Sequence, residues 1–252
     1  MVKIGFSIDV RHIDPLAKAN EAAKCGIEYL ELKLDNPKLD PEHITSETKS
    51  KMKKIIADYS LKTTVHAPYI GVNLAGPGKW IIEASMKRII QAIEAARQWE
   101  AEYVLIHGAR VPHDLMWENQ VNDWVETFVD NVRRLVNKAQ ENGLMMVVEN
   151  TTPSRDYNII DNLKKLEFFL EKVEGIGAVI DIGHLHLTSN VYSLEKFVRK
   201  DYFAKKIKDW IKKYKPWAYR YIESHIELAK ANLDLKNLGK TLEVIGKTKK
   251  YD

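Results

Sequence analysis

Strand-like and helix-like segments alternate along all 252 residues. That alternation predicts an α/β fold, a TIM (β/α)8-like barrel of parallel strands. Two further observations support it. The strand cores are rich in β-branched residues, as strands buried on both faces require. Four of the apolar runs also end on a metal-ligand side chain: Thr63–His66, Val104–His107, Met146–Glu149 and Val179–His184. In a parallel barrel the C-terminal tips of the strands share one mouth, and that is where such folds carry their chemistry.

The elements follow in order. Val2–Val10 reads as strand one and Asp14–Cys25 as a helix, with Gly26 suited to the left-handed conformation that ends one. Tyr29–Leu34 alternates like a strand and places Glu31 inward; Ser46-Glu47 opens a lysine-rich helix; Leu61–Ala67 is strand three. Ile82, Met86, Ile89, Ile90, Ile93 and Ala96 recur at spacings of three and four, which makes one apolar helical stripe. Tyr103–Gly108 is strand four, a helix runs from about Trp117 to Asn142, and Leu144–Asn150 is strand five. Asn162–Val173 reads as a helix and Ala178–Gly183 as strand six. Beyond it come a helix near Leu194–Val198, a lysine-faced helix around Trp210, a break at Pro216, strand seven at Tyr219–Ile226 and a helix over Leu235–Ile245. Seven strands are clear, and an eighth, starting near Thr248, is short or missing. No linker or change of composition divides residues 1–252, so one domain is expected. A doubly wound open sheet competes, but Asp9-Val10-Arg11-His12 stands where its glycine-rich phosphate loop belongs.

Composition narrows the class. A hydrophobic content of 45% with 29% charged residues belongs to a globular protein and argues against disorder. No run approaches the roughly 18 apolar residues that mark a membrane span. A single cysteine, Cys25, rules out an intramolecular disulfide framework. With no apolar leader at Met1–Phe6, the expected compartment is the cytoplasm. The net charge of +4 is too small for a nucleic-acid signature, and the lysines from Lys205 to Lys215 read better as the solvated face of an amphipathic helix than as a phosphate-binding surface.

Taken together, His66-Ala67-Pro68-Tyr69, Asn73-Leu74-Ala75, His107-Gly108, Glu149-Asn150-Thr151 and Asp181-Ile182-Gly183-His184 resemble the xylose isomerase-like barrel superfamily. That group holds sugar isomerases, sugar epimerases and abasic-site nucleases of the endonuclease IV type. The resemblance covers about residues 1–245. It implies that His66 and His107 ligate one metal, that Glu149 bridges to a second, and that Asp181 and His225 complete the second. His184 corresponds to the ligand that the nucleases give to a third zinc. One to two divalent ions are expected, with zinc favoured by imidazole ligands and manganese by oxygen-rich ones. Tyr69, Asn73 and Glu31 are candidate substrate-binding residues. The departures are specific. Nothing between Glu227 and Asp234 supplies the Asp-x-His pair of the nucleases, Gly108-Ala109 replaces the Pro-Gly usual after the strand-four histidine, and the strand-eight Glu shared by both branches is not found before Asp252.

Each site residue also has a plain structural reading: a lysine salt bridge for Glu149, a helix N-cap for Asp181, a satisfied strand-end histidine for His66. His12, His43 and His113 are expected at the surface, and His186 in packing. Three functions follow. The first is a metal-dependent sugar or polyol isomerase or epimerase, in which Glu149 moves a proton and a metal stabilises the enediolate charge. The second is hydrolysis of DNA phosphodiesters at abasic sites. The third is a non-enzymatic metal-binding relic. An open barrel edge also makes self-association an expectation.

Overall fold

The computed structural model describes residues 3–76, 78–112, 121–152 and 157–185. In chain order the elements are β1 (Gly5–Ile8), α1 (Pro15–Lys24), β2 (Tyr29–Lys33), α2 (Ser46–Asp58), β3 (Lys62–His66), α3 (Lys79–Gln98) and β4 (Tyr103–His107). Then come β5 (Arg110–Val111), α4 (Val121–Glu141), β6 (Met145–Glu149), β7 (Tyr157–Asn158), α5 (Leu163–Lys172) and β8 (Ile176–Val179). Six strands form one sheet in the order β1-β2-β3-β4-β6-β8, and every pair in it is parallel. This is the α/β barrel sheet that the alternation predicts. Strand seven, His113, His186, His225 and the helices expected after residue 185 lie outside the described residues.

Local chemistry sets the helix ends. Asp14 caps α1 by accepting from the Leu16 and Ala17 amides, and Pro15 follows at a position where no amide is needed. Gly26 then leaves the helix with φ +79°, a region that side chains avoid. Thr45 caps α2 through the Thr48 amide, and Asn162 caps α5 through the Lys165 amide. The apolar stripe of α3 buries Met86, Ile89, Ala92, Ile93 and Ala96. Phe128 of α4 meets Phe169 of α5 with ring centroids 5.0 Å apart. Helix α3 packs on β3 and β4, α4 on β6 and α5 on β8.

Two expectations need correction, and one element is new. Strand one is confined to Gly5–Ile8, and the last described strand is Ile176–Val179, not Ala178–Gly183. The chain leaves the sheet at Ile180 and is helical at residues 182–185. A two-stranded antiparallel ribbon, β5 with β7, is an addition that no periodicity announced. The ribbon lies beside Gly108, where an added Cβ would come within 3.0 Å of the Ile160 backbone nitrogen. Close packing of that loop explains a glycine directly after His107.

A bidentate ion pair ties the loop after β2 to α3. Arg88 Nη1 and Nη2 donate to the two oxygens of Asp40 at 2.8 and 3.0 Å. Burial works to raise the Asp40 pKa, but the Arg88 hydrogen bonds and charge outweigh it and hold the carboxyl below its ordinary value. A depressed folded-state pKa contributes stability that is present above the unfolded value, near 4, and lost as pH falls through the folded one. Asp40→Asn is therefore expected to lower stability at pH 7 by about 1–2 kcal/mol. Urea denaturation should show that deficit shrinking as the pH approaches about 3, and a deficit independent of pH would contradict the assignment.

Candidate metal centre

The parallel register aligns the ends of the strands. His107 and Glu149 are direct neighbours across β4 and β6, and Lys33 and His66 across β2 and β3. Side chains from three strand tips therefore meet over the sheet's C-terminal edge.

His66 is 1% exposed. Its Nδ1 lies 2.8 Å from the Ala67 carbonyl oxygen, which can only accept, so Nδ1 carries the proton and the Nε2 lone pair is left facing inward. Burial, with the nearby His107 and Lys33 charges, pushes its pKa down to about 3, so the ring stays neutral and ready to ligate at physiological pH. His66 Nε2 lies 3.0 Å from His107 Nε2, which in turn lies 3.2 Å from Glu149 Oε2; the third edge, His66 Nε2 to Glu149 Oε2, is 3.8 Å. Ligand atoms sharing one four-coordinate zinc stand about 3.3 Å apart. The triad matches that spacing.

Glu149 serves a second cluster through its other oxygen. Oε1 lies 3.3 Å from His184 Nδ1, and Asp181 Oδ2 lies 3.6 Å from the same nitrogen. Within each group, His66–His107–Glu149 and Glu149–Asp181–His184, one ligand atom per residue falls within 4.8 Å of the others. Two carboxylates and an imidazole make the second group richer in oxygen than the first. Zinc suits the first group, and manganese is better suited to the second. Burial would raise the Glu149 pKa, but hydrogen bonds from His107 and His184 hold it far below the usual carboxylate range. His184 responds in the opposite sense: burial disfavours its charged form, but Glu149 and Asp181 raise its pKa.

The expected alternatives are resolved in part. The ion-pair partners of Glu149 among the described residues are histidines, not a lysine. Asp181 does cap a helical turn, accepting from the His184 amide at 2.8 Å through Oδ1, while Oδ2 faces the His184 ring. His43 is exposed as expected, whereas His12 is largely covered, packed against Phe6 and accepting the Asp9 amide.

A cavity of about 370 Å³ opens beside His107 and is lined by Tyr69, Asn73, Ile106, Arg110 and Thr151 among others. That volume is at the small end of small-molecule sites. Tyr69 stacks on His107 with ring centroids 4.7 Å apart. Asn73 lines the same space, but its amide is committed to the Arg110 carbonyl and the Ala75 amide, so it shapes the rim. Glu31 lies on β2 and accepts from Ser7 Oγ at 2.6 Å, and burial raises its pKa. A larger depression between α3 and α4, lined by Ile82, Met86 and Ile90, holds none of these ligands.

Sequence reasoning missed Asp35. Its carboxylate accepts the Tyr69 and Ile70 amides at 3.0 and 3.1 Å, and so fixes the loop that carries Tyr69 over His107. Side chain to backbone bonds across 34 residues leave no local signature.

Fold and site define a barrel with a clustered imidazole–carboxylate centre at its mouth. Residues 19–246 match the family model described as the xylose isomerase-like TIM barrel, and the chain belongs to that family. Among curated relatives, a probable endonuclease 4 of Natranaerobius thermophilus is 27% identical over 173 residues, which are 66% of this chain and 57% of that protein. The chain spans about half the length of the curated relatives it matches. A solved D-tagatose 3-epimerase-like protein superposes with a TM-score of 0.64 at 19% identity, over 73% of this chain and 66% of that one. The 3-keto-D-glucoside 4-epimerase of E. coli gives 0.60 at 16% identity, over 83% and 75%. At these identities the likeness is one of fold. No helix among the described residues is long and apolar enough to cross a membrane.

Metal binding makes two predictions. Zinc added to chelator-stripped protein at about 100 times its Kd should stabilise the fold by about 2.7 kcal/mol. In differential scanning calorimetry that is a rise in Tm of roughly 5–10 °C. Glu149→Gln should weaken both ion sites, whereas His66→Ala should weaken one, each by at least about 100-fold in a zinc titration. Equal losses at both sites in His66→Ala would contradict two groups joined at Glu149.

Proposed function

We propose that the protein is a divalent-metal-dependent isomerase or epimerase acting on a sugar or related polyol. The observation that carries this reading is Glu149, a buried carboxylate shared by two ligand groups, whose partner His107 lines a cavity of about 370 Å³. Interconversion of aldose and ketose, or of epimers, moves a proton on a carbon next to a carbonyl. His66, His107, Glu149, Asp181 and His184 would hold the divalent ion, which would supply positive charge to stabilise the developing enediolate. The chain's own groups do the rest. Glu149, kept ionised by His107 and His184, is the proton acceptor or a ligand. Tyr69 offers an aromatic wall and a hydroxyl to the substrate. Glu31, whose pKa burial raises, is a further carboxyl group proposed to contact the substrate. The fold shared with sugar epimerases is consistent with the substrate class.

A second reading, hydrolysis of DNA at abasic sites, draws on the similarity to a probable endonuclease 4. Asp181 and His184 beside Glu149 suit it.

The test is a panel of ketoses, aldoses and their phosphates in deuterium oxide, with protein reconstituted in zinc or manganese. Deuterium should enter next to the carbonyl of at least one sugar, and Glu149→Gln should slow that exchange by about 10²–10⁴-fold. Incision of abasic duplex DNA without exchange on any sugar would replace this reading by the second, and DNA affinity should then fall steeply with salt.

A further inference from the structure

Backbone pairing between β6 and β8 stops at Glu149↔Val179. One residue further on, the side chain of Asn150 takes over the role of a strand. Its Oδ1 accepts the Asp181 amide at 2.9 Å, and its Nδ2 donates to the Asp181 carbonyl at 2.9 Å. The backbone N–H and C=O of one residue are thus both held by a single side-chain amide. The Asn150 backbone carbonyl, in turn, accepts from His184 Nδ1 at 2.8 Å. That bond orients the ring and keeps the proton on Nδ1, so the Nδ1 contacts with Glu149 and Asp181 are hydrogen-bonding ones and Nε2 is the atom left to ligate in the neutral imidazole. Asn150 is 0% exposed, so water cannot replace these partners.

We propose that Asn150 is the positioning residue of the Glu149–Asp181–His184 group: it holds Asp181 by its backbone and His184 by its ring, and so sets the second ion site but not the first. The inference rests on the reading of that group as a metal site. Its physical basis is the departure of the chain from the sheet at Ile180. Asp181 and His184 sit on a turn where the ladder no longer fixes the backbone, and Glu149 sits on a strand where it does. Without the amide, the Asp181 N–H loses its partner and its C=O keeps only the Leu185 amide of its own turn, so nothing ties that turn to the sheet at this residue. His66 and His107 do not share this dependence, because each ends its own paired strand.

The test is competitive zinc titration of stripped protein against a chromophoric chelator. Wild type should take up two ions; fewer than two would defeat the metal-site reading itself, and this inference with it, before any variant is compared. In Asn150→Ala the weaker-held ion should lose about 10–100-fold in affinity while the other is unchanged. Asn150→Asp, of the same size, keeps the acceptor and replaces the donor by an oxygen facing the Asp181 carbonyl; it should show the same selective loss if Asn150→Ala fails to fold. Asn36→Ala is the control, since Asn36 is equally buried and makes three comparable bonds, to the Asp9 and His12 carbonyls and from the Lys38 amide. It should lower Tm and leave both affinities in place. Retention of both ions by the Asn150 variants, or an equal loss at both sites in all three variants, would overturn the proposal.

Discussion

A carboxylate buried at the end of a central strand is the constraint around which this structure is organised. Glu149 is 6% exposed and belongs to a sheet whose neighbouring strands are apolar. An unpaired charge there would cost several kcal/mol. His107 and His184 hydrogen-bond to it instead, one at each oxygen, and the neutral ring of His66 lies 3.8 Å away. The three rings arrive on different segments, so the surroundings of one carboxylate draw β3, β4, β6 and the turn after β8 together. The same arrangement makes a cation the natural occupant, because four polar groups pointing at one another repel or compete for protons without one.

The parallel register converts sequence into this geometry. Because His107 and Glu149 pair directly, their side chains leave the sheet at one level and reach the same space. His66 is paired with Leu105 yet still reaches His107 Nε2, since its ring is aimed by the bond to the Ala67 carbonyl. The loops then close the space from above. Asp35 fixes Tyr69 over the histidines, and the β5–β7 ribbon carries Arg110 and supports the other wall.

Much of this is legible in the sequence, for a physical reason. A strand that ends on His or Glu is a short, local pattern, and parallel topology maps all such ends to one rim; residue pattern alone therefore groups His66, His107 and Glu149. The helices are equally readable where an apolar stripe runs long, as in α3. The boundary of β8 is not. Ile180, Ile182 and the residue between them alternate like a strand, but Asp181 accepts the His184 amide and starts a helical turn, so the capping bond wins over the alternation. Asn150 and Asp35 are hidden for another reason: their work is done on backbone groups 31 and 34 residues away, and residue type alone does not announce it.

Convergence of His66, His107 and Glu149 on a single ion can be seen by diffraction from zinc-soaked crystals, with data collected on both sides of the zinc absorption edge. An anomalous peak is expected about 2.0–2.2 Å from His66 Nε2, His107 Nε2 and a Glu149 oxygen. Peaks confined to surface residues, with the three side chains still in van der Waals contact and nothing between them, would contradict it.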